Sequence, residues 1–291
     1  MVKDIIVLTG ASGFIGKHLA KKLIDFDYNI VAITRPGNLN EKKETERIKW
    51  ITLDDLESAV NGYTVKACIH LATNYGRNSG SAVEQYNCNV MLPLILLEWS
   101  KIHGVQKFIF TDSFFGKYEN TYNYMKQYII TKRHFYEVAC ETIKGFDIGL
   151  VNMRLEHVYG EGDGEGKFIP TILGKMRKHE NILCTHGLQK RDFIYIDDVT
   201  DAYLKVLDYD MVAGYREYQV GTGQSKPLRA FIEQLKKESN SHSEIEYGAI
   251  PIRDDEILDS KANNLTLRQI GWEPCFDIQE GIKKMLSFTN E

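Results

Sequence analysis

The feature that most constrains the fold of this chain is a set of three glycines between an apolar run and a helical pattern. Gly10, Gly13 and Gly16 separate the apolar residues 5–8 from a helical pattern over residues 17–24. That order predicts a strand, a tight turn and the start of a helix. Glycines let the backbone approach a pyrophosphate, and the helix N-terminus supplies amides and a positive dipole end. The turn therefore predicts a dinucleotide-binding site.

Composition limits the kind of protein and partner. The chain has 291 residues, 43% of them hydrophobic, so it can bury a large core. A net charge of -4 with scattered basic residues predicts neither a nucleic-acid nor a membrane partner. The five cysteines are widely spaced, without a Cys-x-x-Cys pair, and the longest apolar run covers only residues 90–97. We expect a soluble, cytoplasmic protein without a metal site, whose partner is a small molecule.

Short apolar runs alternate with helical patterns in the first half of the chain. The predicted strands after the first cover residues 30–33, 65–71, 107–111 and 147–153, and the two longest predicted helices cover 83–103 and 122–144. Such alternation builds a parallel sheet covered on both faces, so we predict an α/β fold with a doubly wound Rossmann sheet.

The sequence pattern changes after Gly160, where glycines cluster and the predicted helices and strands become shorter. This change predicts a smaller C-terminal lobe that binds the substrate. We assign residues 1–155, with part of 185–225, to the dinucleotide-binding domain. The remaining segments of 156–291 form the predicted lobe.

The end of the second strand indicates which dinucleotide is bound. A unit that prefers NAD carries an Asp or Glu there, which bonds the ribose hydroxyls, whereas this chain continues with Thr34 and Arg35. A hydroxyl and a guanidinium fork suit the 2′-phosphate of NADP instead. We predict NADP(H) as the preferred cofactor and keep NAD(H) as possible, since Arg35 can also be a surface residue at a strand end.

The motifs resemble those of one enzyme family along nearly the whole chain. The G-x-x-G-x-x-G spacing resembles the short-chain dehydrogenase/reductase superfamily, above all its extended branch, the NAD-dependent epimerase/dehydratase family. Residues 189–199 resemble that branch's R-D-F-x-Y-V-D-D-V block. Residues 253–255, 259–262 and 271–274 resemble three further landmarks. The resemblance implies a Rossmann enzyme that acts on a nucleotide sugar.

Chemistry in this family implies a Tyr-x-x-x-Lys pair, in which the phenol exchanges a proton with the substrate oxygen. The lysine, one helical turn later, lowers the pKa of the phenol and holds the nicotinamide ribose. Two such pairs occur, Tyr122 with Lys126 and Tyr128 with Lys132, and the context Tyr-Ile-Ile-Thr-Lys favours the second. We therefore predict Tyr128 and Lys132 as catalytic residues, with Tyr122 before the helix or in its first turn.

The third catalytic group implied by the resemblance is a hydroxyl at the end of the fifth strand that bonds the substrate carbonyl. Thr111 is the predicted residue, and Ser113 is the fallback. Family dehydratases carry Thr-Asp-Glu here, whereas this chain has Thr-Asp-Ser. The missing glutamate argues against dehydration and favours a carbonyl reduction or an epimerisation.

The resemblance also implies binding residues. His157 stands where the family carries an asparagine that contacts the sugar or its diphosphate, and Arg191 and Arg253 are the implied diphosphate ligands. The predicted cofactor-binding residues are Gly10, Ser12, Gly13, Phe14, Ile15, Gly16, Thr34, Arg35, Asp55, Leu56, Leu71, Ala72, Thr73, Asn89 and Lys132. The predicted substrate-binding residues are Ser113, His157, Lys167, Phe168, Arg191 and Arg253.

Within the family, the motifs most resemble the nucleotide-sugar 4-ketoreductases. We expect NAD(P)H-dependent reduction of the 4-keto group of a CDP-, dTDP-, GDP- or UDP-linked 4-keto-6-deoxy or 3,6-dideoxy sugar, in deoxysugar biosynthesis for surface polysaccharide. The alternatives are a nucleotide-sugar epimerase with tightly bound NAD and a non-catalytic protein that senses NADP. Family precedent also implies a homodimer formed through the two long helices.

Overall fold

The computed structural model describes residues 4–76, 81–118 and 122–288. The strands are β1 Asp4–Thr9, β2 Asn29–Ile33, β3 Ile48–Ile51, β4 Thr64–His70, β5 Lys107–Ser113, β6 Gly149–Leu155, β7 His157–Tyr159, β8 Ile182–Cys184, β9 Lys190–Arg191, β10 Phe193–Tyr195, β11 Gly214–Val220, β12 Lys226–Pro227 and β13 Ile245–Tyr247. The helices are α1 Phe14–Asp25, α2 Leu56–Val60, α3 Ala82–Tyr86, α4 Leu92–Ile102, α5 Lys126–Thr142, α6 Phe168–Arg177, α7 Ile196–Asp208, α8 Leu228–Glu238, α9 Leu265–Gln269 and α10 Ile278–Ser287.

A seven-stranded sheet in the order β11-β6-β5-β4-β1-β2-β3 forms the centre of the fold. Strand β1 pairs in parallel with β2 on one side and with β4 on the other. The β2–β3 and β4–β5 pairs are also parallel. The strand order reverses between β1 and β4, and ligands of open α/β sheets bind at such a reversal, beyond the carboxyl ends of the strands. The predicted Rossmann fold is confirmed.

Burial explains why the apolar runs form central strands. In β1, residues 5–9 are all buried, and the last four residues of β2 and of β4 are buried as well. Strands buried on both faces need continuous apolar runs rather than alternation. The helices close one face of the sheet with an apolar cluster that includes Leu96, Leu97, Phe135 and Ala139.

The predicted helix over 83–103 is interrupted. Helix α3 continues through a π-helical turn at Asn87–Met91 before α4 begins. In this turn the Leu92 amide donates to the Asn87 carbonyl, five residues earlier. Pro93 has no amide hydrogen and crowds the preceding turn, which accounts for the wider turn at this point. The helix ends as expected before Gly104, whose φ is 64°.

The predicted helix over 122–144 begins later than expected, at Lys126. The residues before it are held by another segment of the chain. The Asn123 amide donates to the Asp255 carboxylate over 2.6 Å, and the Arg253 guanidinium lies 3.7 Å from the centroid of the Tyr124 ring. These contacts hold residues 123 and 124 outside the helix, and Tyr122 therefore precedes α5.

The chain separates into two compact units. The first contains Met1–Glu119, Met125–Arg154 and Tyr203–Tyr218, and the second contains Asn120–Tyr124, Leu155–Ala202 and Gln219–Glu291. Three two-stranded sheets belong to the second unit: β10 with β7, β12 with β9, and β13 with β8. Its core includes the stacked rings of Phe193 and Phe231, with centroids 4.1 Å apart. The Asp198 carboxylate joins this unit to its C-terminal segment by accepting hydrogen bonds from the Cys275 and Phe276 amides.

Candidate active site

The glycine turn between β1 and α1 is shaped for close backbone approach. Gly10 has φ 72°, and a Cβ there would lie 2.6 Å from the Ala72 amide nitrogen. A Cβ at Gly16 would lie only 2.0 Å from the Gly10 carbonyl oxygen. Gly13 is the N-cap of α1, and no side chain there accepts a hydrogen bond from the first helical amides. The residues present therefore fit a dinucleotide pyrophosphate at this helix N-terminus.

The other predicted cofactor residues of this unit lie beyond the carboxyl ends of its strands. Thr34 follows β2 and donates its amide to the Ile51 carbonyl, and the Arg35 side chain after it is exposed. Asp55 is the N-cap residue that precedes α2, and its carboxylate accepts a 2.6 Å hydrogen bond from the Thr52 hydroxyl. Ser12, Phe14 and Ile15 belong to the glycine turn and the start of α1, while Leu56 is buried in α2 and Leu71, Ala72 and Thr73 follow β4.

Tyr128 lies in the first turn of α5 with 4% of its surface exposed. The side chains of Thr73, after β4, and Ser113, at the end of β5, lie near enough to its hydroxyl to lower the pKa of Tyr128. The Tyr75 ring packs against it with a centroid distance of 5.1 Å. The structure thus brings predicted cofactor, substrate and catalytic residues to one phenol.

The pKa of Tyr128 is raised well above its usual value, chiefly by burial. Tyr75 and Asp112 raise this pKa further, while the hydrogen bonds from Thr73 and Ser113 lower it. The sequence predicts a lowered pKa, and in the structure burial outweighs the groups that favour ionisation. A phenol that keeps its proton is suited to act as an acid toward a substrate oxygen.

Lys132 lies one turn after Tyr128 on the same helix and is buried. Its ammonium donates a 2.9 Å hydrogen bond to the Thr111 carbonyl and lies 5.8 Å from the centroid of the Tyr128 ring. Burial lowers the pKa of Lys132, and the charge of Asp112 opposes that effect. The lysine is therefore fixed beside the phenol by the main chain of β5.

Thr111 and Ser113 lie two residues apart on β5, so their side chains share one face of the sheet. The Thr111 hydroxyl lies 2.6 Å from the hydroxyl of the buried Tyr203, whereas the Ser113 side chain lowers the pKa of Tyr128. The Tyr203 contact favours the fallback, Ser113, as the hydroxyl that orients the substrate. Both residues remain predictions for this role.

Asn89 connects the elements around Tyr128. Its side-chain amide donates to the Asn74 carbonyl over 2.8 Å and to the Thr131 hydroxyl over 3.0 Å, and its carbonyl oxygen accepts from the Asn74 amide. The wide turn before Pro93 carries this side chain, which is fully buried. Asn89 thereby holds the segment after β4 against α5.

The alternative pair, Tyr122 with Lys126, does not share a helical face, because Tyr122 precedes the helix. Burial raises the pKa of Tyr122 to about 12. Its hydroxyl accepts a 3.4 Å hydrogen bond from the Arg253 guanidinium. Lys126 therefore does not lie one helical turn after Tyr122, as the catalytic pair would require.

Arg191 and Arg253, the predicted diphosphate ligands, belong to the second unit and share one carboxylate. Glu256 forms an ion pair with the buried Arg191 through one oxygen and lies 3.4 Å from Arg253 through the other. Glu256 is not among the residues that the sequence patterns predict. Its position three residues after Arg253, from which a carboxylate can reach the guanidinium, is the sequence signal that could have indicated it. The carboxylate shows that this place accepts negative charge.

The remaining predicted substrate residues also belong to the second unit. His157 lies on β7, where burial, helped by the nearby charge of Arg191, lowers its pKa to about 3. Its imidazole is therefore neutral at physiological pH. Lys167 caps α6 and pairs with Asp163 over 2.7 Å, and Phe168 begins that helix with 45% of its surface exposed.

The described residues form neither a metal-holding cluster nor a membrane-spanning helix. Over residues 4–76, 81–118 and 122–288, no group of three or more His, Cys, Asp or Glu side chains is placed to hold a metal ion. Within the same ranges, no helix combines the length and apolar character needed to cross a membrane.

Comparison with known proteins identifies relatives along the full chain. Residues 6–221 match the sequence model of the NAD dependent epimerase/dehydratase family. The CDP-abequose synthase of Salmonella muenchen is 47% identical and that of Salmonella typhimurium 43% identical, each over 98% of both chains. A dTDP-4-dehydro-6-deoxyglucose reductase of Escherichia coli is 27% identical over 98% of this chain and 97% of the relative.

Solved structures share the fold at lower sequence identity. A UDP-glucose 4-epimerase of Thermotoga maritima, solved with UDP-glucose, has a TM-score of 0.83 at 23% identity over 98% of both chains. MoeE5, solved with UDP-glucuronic acid and NAD, has a TM-score of 0.82 at 22% identity over 98% of both chains. These two structures bear on the fold alone.

Proposed function

Because this chain belongs to the NAD-dependent epimerase/dehydratase family, we propose that it reduces the 4-keto group of a nucleoside-diphosphate 4-keto-6-deoxy or 3,6-dideoxy sugar. The observation that carries the proposal is the buried Tyr128, which has the Lys132 ammonium 5.8 Å from the centroid of its ring and a pKa that burial raises well above its usual value. The names of the 47% and 43% identical relatives support a CDP-linked deoxysugar, and the name of the 27% identical relative supports reduction at a 4-keto carbon.

In the proposed reaction, the side chains at the end of β5 and the start of α5 handle the substrate oxygen. Ser113 donates a hydrogen bond to the carbonyl oxygen, and Tyr128 transfers its proton to that oxygen as the carbonyl becomes an alcohol. Bound NADPH would supply the hydride to the carbonyl carbon. Lys132 holds the nicotinamide ribose, and its charge stabilises the phenolate until solvent returns the proton.

We propose NADPH as the reductant on the basis of Thr34 and Arg35. The Arg35 side chain is exposed at the end of β2, so its guanidinium is available to a 2′-phosphate. Neither position carries an acidic side chain, which would bond the ribose hydroxyls of NAD. The pyrophosphate would lie on the amides at the start of α1.

We propose that the second unit binds the nucleotide sugar and that the first binds the cofactor. Arg191 and Arg253 are the proposed ligands of the substrate diphosphate, which would replace the Glu256 carboxylate on one or both guanidinium groups. The exposed apolar side chains of Val83, Met91 and Ile95 support the expectation of a homodimer through the α3–α4 segment.

The test is NADPH oxidation with a panel of CDP-, dTDP-, GDP- and UDP-linked 4-keto-6-deoxysugars. We expect turnover with the CDP-linked substrate, with one NADPH consumed for each alcohol formed. Tyr128→Phe should lower kcat by about 100-fold or more, because a positioned general acid contributes on that order. The matched control Tyr122→Phe should retain wild-type kcat. Full activity of Tyr128→Phe would exclude the assignment.

Two further comparisons separate the alternatives. Ser113→Ala should lower kcat more than Thr111→Val, because the Thr111 hydroxyl already lies 2.6 Å from the Tyr203 hydroxyl, whereas the Ser113 side chain lowers the pKa of Tyr128. An epimerase would purify with NAD and convert its substrate without net NADPH consumption. That result, or the absence of turnover with every substrate of the panel, would refute the assignment as a reductase.

A further inference from the structure

A partly exposed aromatic ring lies directly beside the proposed proton donor. The Tyr75 ring packs against the Tyr128 ring with a centroid distance of 5.1 Å and an interplanar angle of 32°. Tyr128 is 4% exposed, whereas Tyr75 is 38% exposed. Tyr75 therefore packs against a buried side chain and still presents part of its own surface. The proposed reduction gives that surface no role.

Buried amide side chains fix the main chain on both sides of Tyr75. The Asn74 amide donates to the Asn89 side chain, and the Asn74 carbonyl accepts from it, each over 2.8 Å. The Gln85 side chain donates to the same carbonyl over 3.3 Å, and the Gly76 amide donates to the Asn74 side-chain oxygen over 2.8 Å. Asn89 is 0% and Gln85 2% exposed. These bonds hold the backbone of an exposed residue in one place.

Gly76 allows the turn after Tyr75 to close on Gln85. Its φ is 68°, which favours glycine, and a Cβ there would lie 2.8 Å from the Gln85 side-chain nitrogen. A larger residue would displace the side chain that donates to the Asn74 carbonyl. The fold thus presents an aromatic ring on a fixed backbone, and such preorganisation is typical of a residue that contacts a ligand.

The position of Tyr75 limits which part of a substrate it can meet. For proton transfer, the substrate oxygen must come within about 3 Å of the Tyr128 hydroxyl, so the carbons on either side of the carbonyl come within about 5 Å of it. A ring that packs against Tyr128 is therefore placed to contact one of these carbons or its substituent. An aromatic face stabilises a CH2 or CH3 group, whereas a hydroxyl pressed against that face would lose water without gaining a partner.

We propose that Tyr75 is a specificity-determining residue, whose ring packs against a deoxygenated carbon next to the reacting carbonyl and so selects deoxysugars over their hydroxylated counterparts. The inference rests on the proposed function, since it names the feature of the substrate that the active site recognises. It assigns the apolar part of recognition to Tyr75 and leaves the proton to Tyr128.

The test measures binding rather than turnover. Calorimetry compares CDP-glucose, CDP-6-deoxyglucose and CDP-3,6-dideoxyglucose, each added to the full-length protein in the presence of NADP⁺. Wild type should bind at least one deoxygenated sugar about tenfold more tightly than CDP-glucose, because one substituent in an apolar contact changes affinity by about 10-fold or more. The step at which affinity rises identifies whether the substituent at C6 or at C3 meets the ring.

Variants at position 75 separate the ring from its hydroxyl. Tyr75→Ser should bring the three affinities within about twofold of one another, while Tyr75→Phe keeps the ring and should retain the preference. If Tyr75→Ser does not fold, Tyr75→Gln provides the test, since it fills more space and also lacks an aromatic face.

Tyr63→Ser is the matched control, because Tyr63 is 51% exposed and precedes β4, whereas Tyr75 follows that strand. The two ends of β4 lie about 20 Å apart, so this variant should keep the wild-type affinities. Equal affinities for the three sugars in wild type, or a preference that survives in Tyr75→Ser, would overturn the inference alone. Absence of binding with all three would refute both the proposed CDP-linked substrate and the role of Tyr75.

Kinetics provide a second readout. With a 4-keto-6-deoxy substrate, Tyr75→Ser should raise the KM for the sugar nucleotide about tenfold and leave kcat and the KM for NADPH unchanged, because the ring binds substrate and transition state alike. A fall in kcat with an unchanged KM would mean that Tyr75 acts on Tyr128 rather than on the sugar, and would contradict the inference. Absence of turnover by wild type would refute the reductase, while the calorimetry would still decide the role of Tyr75.

Discussion

A substitution at Gly16 gives a sharp test of how the glycine turn works. The Cβ of an alanine there would lie 2.0 Å from the Gly10 carbonyl oxygen and 2.8 Å from the Ala11 Cα. Both atoms belong to the main chain, so no side chain can rotate away. Ordinary contact begins near 3.4 Å, so α1 and the turn must separate by about 1.4 Å.

That displacement is larger than the range of hydrogen-bond lengths, which spans about 0.5 Å. The amides at the start of α1 would therefore lose contact with a bound pyrophosphate. Each charge-assisted hydrogen bond contributes about 1.5–3 kcal/mol, so the loss of two weakens NADPH binding by roughly 100-fold or more. Overpacking should also lower the free energy of unfolding by about 1–3 kcal/mol.

Gly13→Ala is the matched control in the same turn. Its Cβ would lie 3.2 Å from the Gly10 carbonyl oxygen, and its φ of -77° suits alanine. The assay is fluorescence titration of each variant with NADPH, together with thermal unfolding. We expect Gly13→Ala to bind within about threefold of wild type, on an energy change below 1 kcal/mol. Wild-type affinity in Gly16→Ala, or equal damage in both variants, would refute the steric argument.

Three other substitutions test separate parts of the structure. Lys107→Met removes a buried ammonium that donates to three main-chain carbonyls at the end of α7. The free energy of unfolding, measured in urea, should therefore fall by about 2–3 kcal/mol while kcat stays unchanged, and a variant as stable as wild type would contradict this. Arg35→Ser should raise the KM for NADPH about tenfold and leave that for NADH unchanged, and equal changes in both would argue against a 2′-phosphate contact. Glu256→Gln removes the carboxylate that occupies both arginines, so calorimetry should show tighter binding of CDP, while weaker binding would show that the diphosphate does not use these arginines.

Local sequence patterns determined the Rossmann half of the fold. The apolar run before the glycine turn forms β1, and the strands predicted over 30–33 and 65–71 lie within one residue of β2 and β4. These elements are predictable because central strands need continuous apolar runs and because few residues other than glycine allow this turn. The same patterns located the two long helices but not the turn before Pro93 or the late start of α5.

The tertiary structure decided which residues meet. Thr111 and Ser113 are both hydroxyl residues on one face of β5, and only a tertiary contact, that of the Thr111 hydroxyl with the Tyr203 hydroxyl, distinguishes them. Contacts distant in sequence also set the raised pKa of Tyr128 and the carboxylate shared by Arg191 and Arg253. Sequence periodicity reports local conformation and burial. The energies of these groups depend on neighbours brought together only by the fold.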